Sequence, residues 1–244
     1  MWVIAHRGAS GVAPENTMAA FQRAVEMGAG FIETDLQLSR DARLVALHDD
    51  TLDRTTNGHG PVSGKTLEEL RKLDAGAWFA KGPATRGDFA GERIPTIEEV
   101  LAFGREKDIG LYLELKPRGP SGAELAIVGT LRASGEIGRS VVLSFDSGSL
   151  MRVRQFEPLL ATGFLYSKRL SDGVARAVSA GARQLLPRAD RITPALVAEA
   201  HRNDLKVVAW TVNDRAKMKE MMSAGVDGII TNYPDELMAL LAHD

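Results

Sequence analysis

Short apolar runs, several rich in β-branched residues, alternate with amphipathic stretches along the whole chain. No other feature constrains the fold as strongly. The runs are Val3–Ala5, Phe31–Leu38, Leu111–Leu115, Val141–Ser144, Ala161–Leu165, Gln184–Leu186, Lys206–Trp210 and Gly228–Ile230. Strands this apolar suit a parallel sheet covered by helices. Between them, apolar residues recur at helical spacing. Pro14-Glu15-Asn16-Thr17 introduces Met18, Ala19, Phe21, Ala24 and Val25, with Asn16 expected as N-cap or first-turn residue and Gly28 and Gly30 as the stop. Ile97–Glu106, Gly122–Ala133, Ser149–Phe156, Asp172–Ala180, Pro194–His201, Asp214–Ser223 and Pro234–Leu241 read as further helices. Eight strand–helix units in 244 residues predict an α/β fold, a TIM (β/α)8 barrel forming one domain over 1–244. An open doubly wound sheet is the alternative, and it requires a switch point that sequence does not display.

The rhythm breaks after the second strand region. Leu44–Leu47 reads as a short extension of that strand beyond a turn at Arg40-Asp41. Residues 50–95 are rich in Asp, Thr, Gly and Pro and contain one clear helix, near Thr66–Lys72. Leu67, Leu70, Leu73, Trp78 and Phe79 need somewhere to pack, so a small insertion subdomain is expected at about 50–95 rather than a loose excursion.

Composition removes several function classes. Lys and Arg total 30 against 32 Asp and Glu, a formal charge of −2. That leaves no basic excess for a nucleic-acid backbone, though a small phosphate-bearing substrate stays compatible. Cysteine is absent, which excludes disulfides, thiolate metal sites and a cysteine nucleophile. No run approaches 18 apolar residues, so stable membrane insertion is not expected. The apolar stretch within Met1–Arg7 is too short for a signal peptide, and the cytoplasm is the expected compartment.

Polar residues fall where these strands end. His6 and Arg7 follow the first strand, Glu33 and Asp35 lie in the second, and His48 closes its extension. Glu114 and Lys116 straddle the end of Leu111–Leu115, Ser144 and Asp146 the end of the next strand, and Trp210 closes Lys206–Trp210 with Asn213 just beyond. In a (β/α)8 barrel these ends converge on one mouth. Glu33 and Asp35, two apart, leave a strand on one face, and so do Glu114 and Lys116. Crowded carboxylates repel unless a cation or a basic side chain offsets them. Glu33, Asp35 and Glu114 therefore form either an all-oxygen shell for Mg²⁺ or Ca²⁺, or a salt-bridge network with Arg7 and Lys116. His6 and His48 suit an acid/base pair or metal ligation. Arg7 grips phosphate oxygens as a fork and Lys116 acts as a point charge. Together these groups suit phosphoryl transfer. Trp210 either lines the leaving alcohol or belongs to the core. His59, His201 and His243 lie in a Gly-rich turn, on a helix and at the chain end, and take no assigned chemistry.

The residues His6-Arg7-Gly8-Ala9 with Pro14-Glu15-Asn16-Thr17 resemble the opening motif of the glycerophosphodiester phosphodiesterase family. Glu33-Thr34-Asp35, the segment His48-Asp49-Asp50-Thr51-Leu52-Asp53-Arg54-Thr55-Thr56, Pro95-Thr96, Glu114-Leu115-Lys116 and Gly228-Ile229-Ile230-Thr231-Asn232-Tyr233-Pro234 continue it. The similarity runs from residue 3 to about 237, and the joint order of the motifs is specific. It implies a TIM barrel with an insertion after His48. It also implies metal-dependent hydrolysis of a small glycerophosphodiester to glycerol 3-phosphate and an alcohol, as in the cytosolic members. By the same resemblance His6 and His48 are the acid/base pair. Glu33, Asp35 and Glu114 hold one divalent cation, Mg²⁺ or Ca²⁺, and Arg7 and Lys116 contact phosphate. A lysophospholipid phosphodiesterase or lyase using the same site is the alternative, as is a non-catalytic phosphodiester-binding barrel.

Overall fold

Phe31–Leu38 (β2) turns alternate side chains to opposite faces of the sheet. Ile32 and Leu36 join the apolar layer beneath the helices, while Phe31 packs with the barrel interior. Glu33 and Asp35 share the interior face with Phe31, and burial there requires compensating charge. The computed structural model describes residues 1–79, 89–116, 122–168 and 170–242.

Around β2, the parallel strands among the described residues are Trp2–His6 (β1), Gly110–Leu115 (β4), Ser140–Ser144 (β5), Ala161–Tyr166 (β6), Gln184–Pro187 (β7), Lys206–Ala209 (β8) and Gly228–Thr231 (β9). Their order is β1-β2-β4-β5-β6-β7-β8-β9, and β1 pairs in parallel with both β2 and β9, so the sheet closes into an eight-stranded barrel. Closure rules out the open doubly wound alternative. Leu44–Ala46 (β3) is antiparallel to β2, with Gln37 opposite Val45, so the expected strand extension is in fact a hairpin return. Ala42 at the turn has φ +58°, which reverses the chain without a glycine.

Among the described residues the α-helices are Met18–Glu26 (α1), Leu67–Leu70 (α2), Ile97–Glu106 (α3), Ala123–Ser134 (α4), Ser147–Phe156 (α5), Gly173–Ser179 (α6), Pro194–Arg202 (α7), Arg215–Ser223 (α8) and Pro234–Leu241 (α9). Short polar side chains fix where they start. Thr66 with Glu69, and Thr96 with Glu99, form capping boxes. Thr193 and Asp214 cap α7 and α8, and proline occupies the first turn of α7 and α9, where its missing N–H costs nothing. At α1 the cap is Thr17, whose hydroxyl accepts from Ala20 N–H, and not Asn16. Asn16 takes φ +57°, outside the helix, and its amide turns toward the barrel instead.

Two apolar layers result. Ile4, Tyr112, Val141, Leu143, Leu165, Leu186, Val208 and Ile230 fill the barrel interior. A larger layer lies between the strands and the surrounding helices. A third cluster gathers Val45, Leu47, Leu52, Val62, Leu70, Ala75 and Ile94, so the described part of residues 50–95 has buried apolar residues of its own. Trp78, Phe79 and Phe89 meet edge to face at 5.5 and 5.7 Å, and Phe89 is buried with Ala13 and Ala20. Residues 80–88 of the expected insertion, and His243, lie outside the described residues. Among the described residues no helix is long and apolar enough to cross a membrane.

Candidate active site

The three expected carboxylates meet. One oxygen from each of Glu33, Asp35 and Glu114 lies within 4.8 Å of the others, and all three residues are buried. β2 and β4 set this geometry, because Asp35 stands opposite Glu114 in the parallel register. Lys116 reaches back over the strand end, with its Nζ on Asp35 Oδ1 and 2.6 Å from Glu114 Oε1. Arg7 Nε lies 3.1 Å from Asp35 Oδ2, and the Arg7 backbone N–H donates to Glu33 Oε2 at 3.0 Å. Asn16 supports the same carboxylate. Its Nδ2 donates to Asp35 Oδ2 at 3.0 Å, while its Oδ1 accepts from Thr34 Oγ1 at 2.8 Å.

Three carboxylates against two cationic side chains leave this buried cluster short of positive charge. Burial and the neighbouring Asp35 push Glu114 up to about 7. Burial, then Asp35 and Glu114, drive Glu33 well above the carboxylate range. At Asp35 burial opposes ionisation, but Lys116 and Arg7 outweigh it and hold the carboxyl low. A buried, all-oxygen, electron-rich donor set of this kind could bind a hard metal ion. The salt-bridge network with Arg7 and Lys116, the other expectation for these acids, is present.

The backbone around Arg7 is shaped for the site. Arg7 and Gly8 have φ +56° and +79°, turning the chain sharply as it leaves β1. A Cβ on Gly8 would sit 2.6 Å from the Ala20 carbonyl carbon, so only glycine lets this turn lie against α1.

The two histidines have different partners. His6 Nδ1 is 2.7 Å from Asn232 Oδ1, which places the proton on Nδ1 and leaves Nε2 as the basic atom. Burial, then the Arg7 charge, lower the His6 pKa to about 4, so the ring is neutral at neutral pH. His48 Nδ1 is 2.7 Å from Asp49 Oδ1, the kind of partner that compensates positive charge on an imidazole. Gln37, buried on β2, donates to the His48 carbonyl at 3.2 Å and holds that loop.

His6, Arg7, Glu33, His48, Glu114 and Lys116 line one side of a cavity of about 260 Å³, and Leu143, Phe145, Leu165, Trp210 and Ile230 line the other. Trp210 is fixed by Nε1–H donation to the Leu186 carbonyl at 2.7 Å and meets Phe145 edge to face at 5.4 Å. A larger cavity of about 410 Å³ runs beside α4 and α5, where Arg152 is paired with Glu124 at 2.6 Å. Neither histidine lines it; both line the smaller one.

Other polar strand ends stay out. Asp146 caps α5, Ser144 donates to the Leu115 carbonyl, and Asn213 accepts from the Asn232 N–H. His59 pairs with exposed Asp53, and His201 with Asp227. Residues that site reasoning from sequence passed over are Asn16, Glu15, Asp49, Arg54 and Asn232. All lie inside the quoted motifs, which was the one signal available.

A barrel whose mouth joins carboxylates, cations and two imidazoles has close parallels. The family model described as the glycerophosphoryl diester phosphodiesterase family matches residues 6–236. The chain belongs to the glycerophosphoryl diester phosphodiesterase family. It is 42% identical over 241 residues to the glycerophosphodiester phosphodiesterase of Caldanaerobacter subterraneus subsp. tengcongensis, covering 98% of this chain and 97% of the relative. It is 36% identical to a glycerophosphodiester phosphodiesterase of Bacillus subtilis, covering 95% of this chain and 83% of that one. Its fold is similar to an Oleispira antarctica phosphodiesterase solved with the product sn-glycerol-3-phosphate. That match has a TM-score of 0.90 at 30% identity, over 99% of this chain and 97% of that one. The family match thus runs from His6, the last residue of β1, through the β9–α9 junction that meets it.

Proposed function

We propose that this chain hydrolyses small glycerophosphodiesters, releasing glycerol 3-phosphate and an alcohol. The observation that carries the reading is the pair of differently partnered imidazoles beside the carboxylate cluster in one cavity. Arg7 and Lys116 face the phosphodiester oxygens, Arg7 as a fork and Lys116 as a point charge. His6, neutral with Nε2 free, takes the proton from the nucleophile, which is water or the glycerol 2-hydroxyl. His48, backed by the Asp49 carboxylate, gives a proton to the leaving alcohol. Trp210 and Phe145 form the apolar wall for that alcohol. Glu33, Asp35 and Glu114 would hold a divalent cation, Mg²⁺ or Ca²⁺ for an all-oxygen donor set, which when bound would supply charge stabilisation to the phosphate. We assign the whole chain to one barrel domain in which residues from about 50 to 95 form an insertion, and we place the reaction in the cytoplasm.

The test is direct. Purified protein is incubated with glycerophosphocholine and glycerophosphoethanolamine after EDTA treatment, then with Mg²⁺ or Ca²⁺ restored. Release of glycerol 3-phosphate only with a cation is expected, and its rate ranks cations and headgroups. No release with either cation or substrate would overturn the reading.

A further inference from the structure

Arg54 is absent from the reaction just drawn, yet it makes more charge-assisted contacts than any group in it. Its Nε donates to Asp49 Oδ2 at 2.7 Å and its Nη2 to Asp49 Oδ1 at 3.0 Å. Nη1 donates to Glu15 Oε2 at 2.8 Å and Nη2 to Glu15 Oε1 at 2.7 Å. One planar guanidinium therefore grips two carboxylates along two edges. The oxygens it holds are not idle. Asp49 Oδ1 is the acceptor 2.7 Å from His48 Nδ1, and Glu15 Oε1 accepts from Arg7 Nη1 at 2.7 Å.

Arg54 thus joins the loop that follows β1, carrying Arg7 and Glu15, to the loop that follows β3, carrying His48 and Asp49. The Arg54 side chain is 44% exposed, and exposed ion pairs add little to stability. A double bidentate grip does something else: it fixes the direction in which each carboxylate points. Asp49 is itself a quarter exposed, and without Arg54 its carboxylate could swing from the imidazole to solvent.

We infer that Arg54 is a positioning residue for the reaction, holding Asp49 against His48 and Glu15 against Arg7 so that both reach the phosphodiester in a fixed orientation. This rests on the phosphodiesterase reading above. It requires arginine at this position, because a lysine ammonium cannot span both carboxylates along their edges. The Asp49 arm acts on proton delivery, so its loss falls on kcat.

The experiment compares wild type, Arg54→Met, Arg54→Lys, Asp49→Asn and the two double variants by kcat and KM for glycerol 3-phosphate release, with urea midpoints measured alongside. Arg54→Met is expected to lower kcat by about 10–100-fold, as loss of an orienting partner does, with KM raised less than kcat falls and the midpoint near wild type. In the Asp49→Asn background the same change should lower kcat by no more than about threefold, because the arm that acts on proton delivery is already gone and only the Glu15 arm remains to be lost. Arg54→Lys should recover only part of the loss. If Arg54→Met fails to fold, Arg54→Lys carries the comparison, with a kcat loss in the wild-type background that shrinks in Asp49→Asn. Wild-type kcat in Arg54→Met, full recovery in Arg54→Lys, or an equal kcat loss in both backgrounds would overturn the inference. A wild-type protein that releases no glycerol 3-phosphate would instead refute the functional reading on which it rests.

Discussion

Asn16→Ala isolates a residue that is buried, outside any helix and bonded to the carboxylate cluster. Three hydrogen bonds end with it: Nδ2 to Asp35 Oδ2 at 3.0 Å, Thr34 Oγ1 to Oδ1 at 2.8 Å and Asp35 N–H to Oδ1 at 3.3 Å. The bond to a carboxylate is worth about 1.5–3 kcal/mol, and a stranded buried hydroxyl costs about 1 kcal/mol or more. Alanine at φ +57° adds about 1 kcal/mol of backbone strain. The sum is roughly 3.5–5 kcal/mol, a large share of the ~5–15 kcal/mol that holds most domains together. With an m-value of about 2–3 kcal/mol per M, the urea midpoint falls by roughly 1.2–2.5 M. Asn16→Gly separates the terms: it loses the same bonds but accepts positive φ, so it should lie about 1 kcal/mol above Asn16→Ala. Urea unfolding followed by circular dichroism, with slopes compared across variants, is the assay. A midpoint for Asn16→Ala within about 0.3 M of wild type would refute the reasoning, and alanine equal to glycine would refute the strain component alone.

Three further outcomes are expected. His6→Ala and His48→Ala should each lower turnover by about 10²–10⁴-fold with an almost unchanged unfolding midpoint, and a lost fold without a kinetic defect would remove them from the chemistry. Leu70→Ala empties a fully buried position in the cluster with Leu52, Val62 and Ile94, so denaturant unfolding should show a loss of about 2–5 kcal/mol. Asp49 is held down to about 2, chiefly by Arg54, against an ordinary value of 3.8. A carboxyl depressed in the folded state contributes stability above its unfolded pKa, and that contribution fades as pH falls from about 4 to about 2. Midpoints measured across this window should therefore decline less steeply in Asp49→Asn than in wild type.

Local patterns in the sequence carried β2, α3 and α9 to their observed ends. Each has a strong period or a clear start signal, such as Thr96 with Glu99 or Pro234. The i, i+2 spacing of Glu33 and Asp35 placed two carboxylates on one face without any knowledge of the barrel. Other features depend on partners far away in sequence. Nothing near Asn16 announces that Asp35 will draw its amide out of a capping role. Asn232 is 226 residues from His6, and Arg54 is 39 from Glu15, so neither pairing has a local signature. The turn at Arg40-Asp41 is legible in the sequence, but that Leu44–Ala46 returns antiparallel to β2 is set by its pairing with Leu36–Leu38, which no local pattern announces. Helix starts shifted by one or two residues, as at α5, where Asp146 caps earlier than the apolar period begins.

The hydrogen bond between His6 and Asn232 lies beside the seam where β1 meets β9. A nascent chain carries β1 from the start but cannot pair it with β9 until nearly all of the polypeptide has left the ribosome. At about 5–20 residues per second, synthesis of the intervening 226 residues takes on the order of 10–50 seconds. Through that interval the His6 ring has no amide to set its tautomer and no closed mouth around it. Fragments that end before residue 232 would share this fate, whatever part of the barrel they form. Ring closure therefore sets the His6 ring late: only a chain translated past Asn232 can form this hydrogen bond.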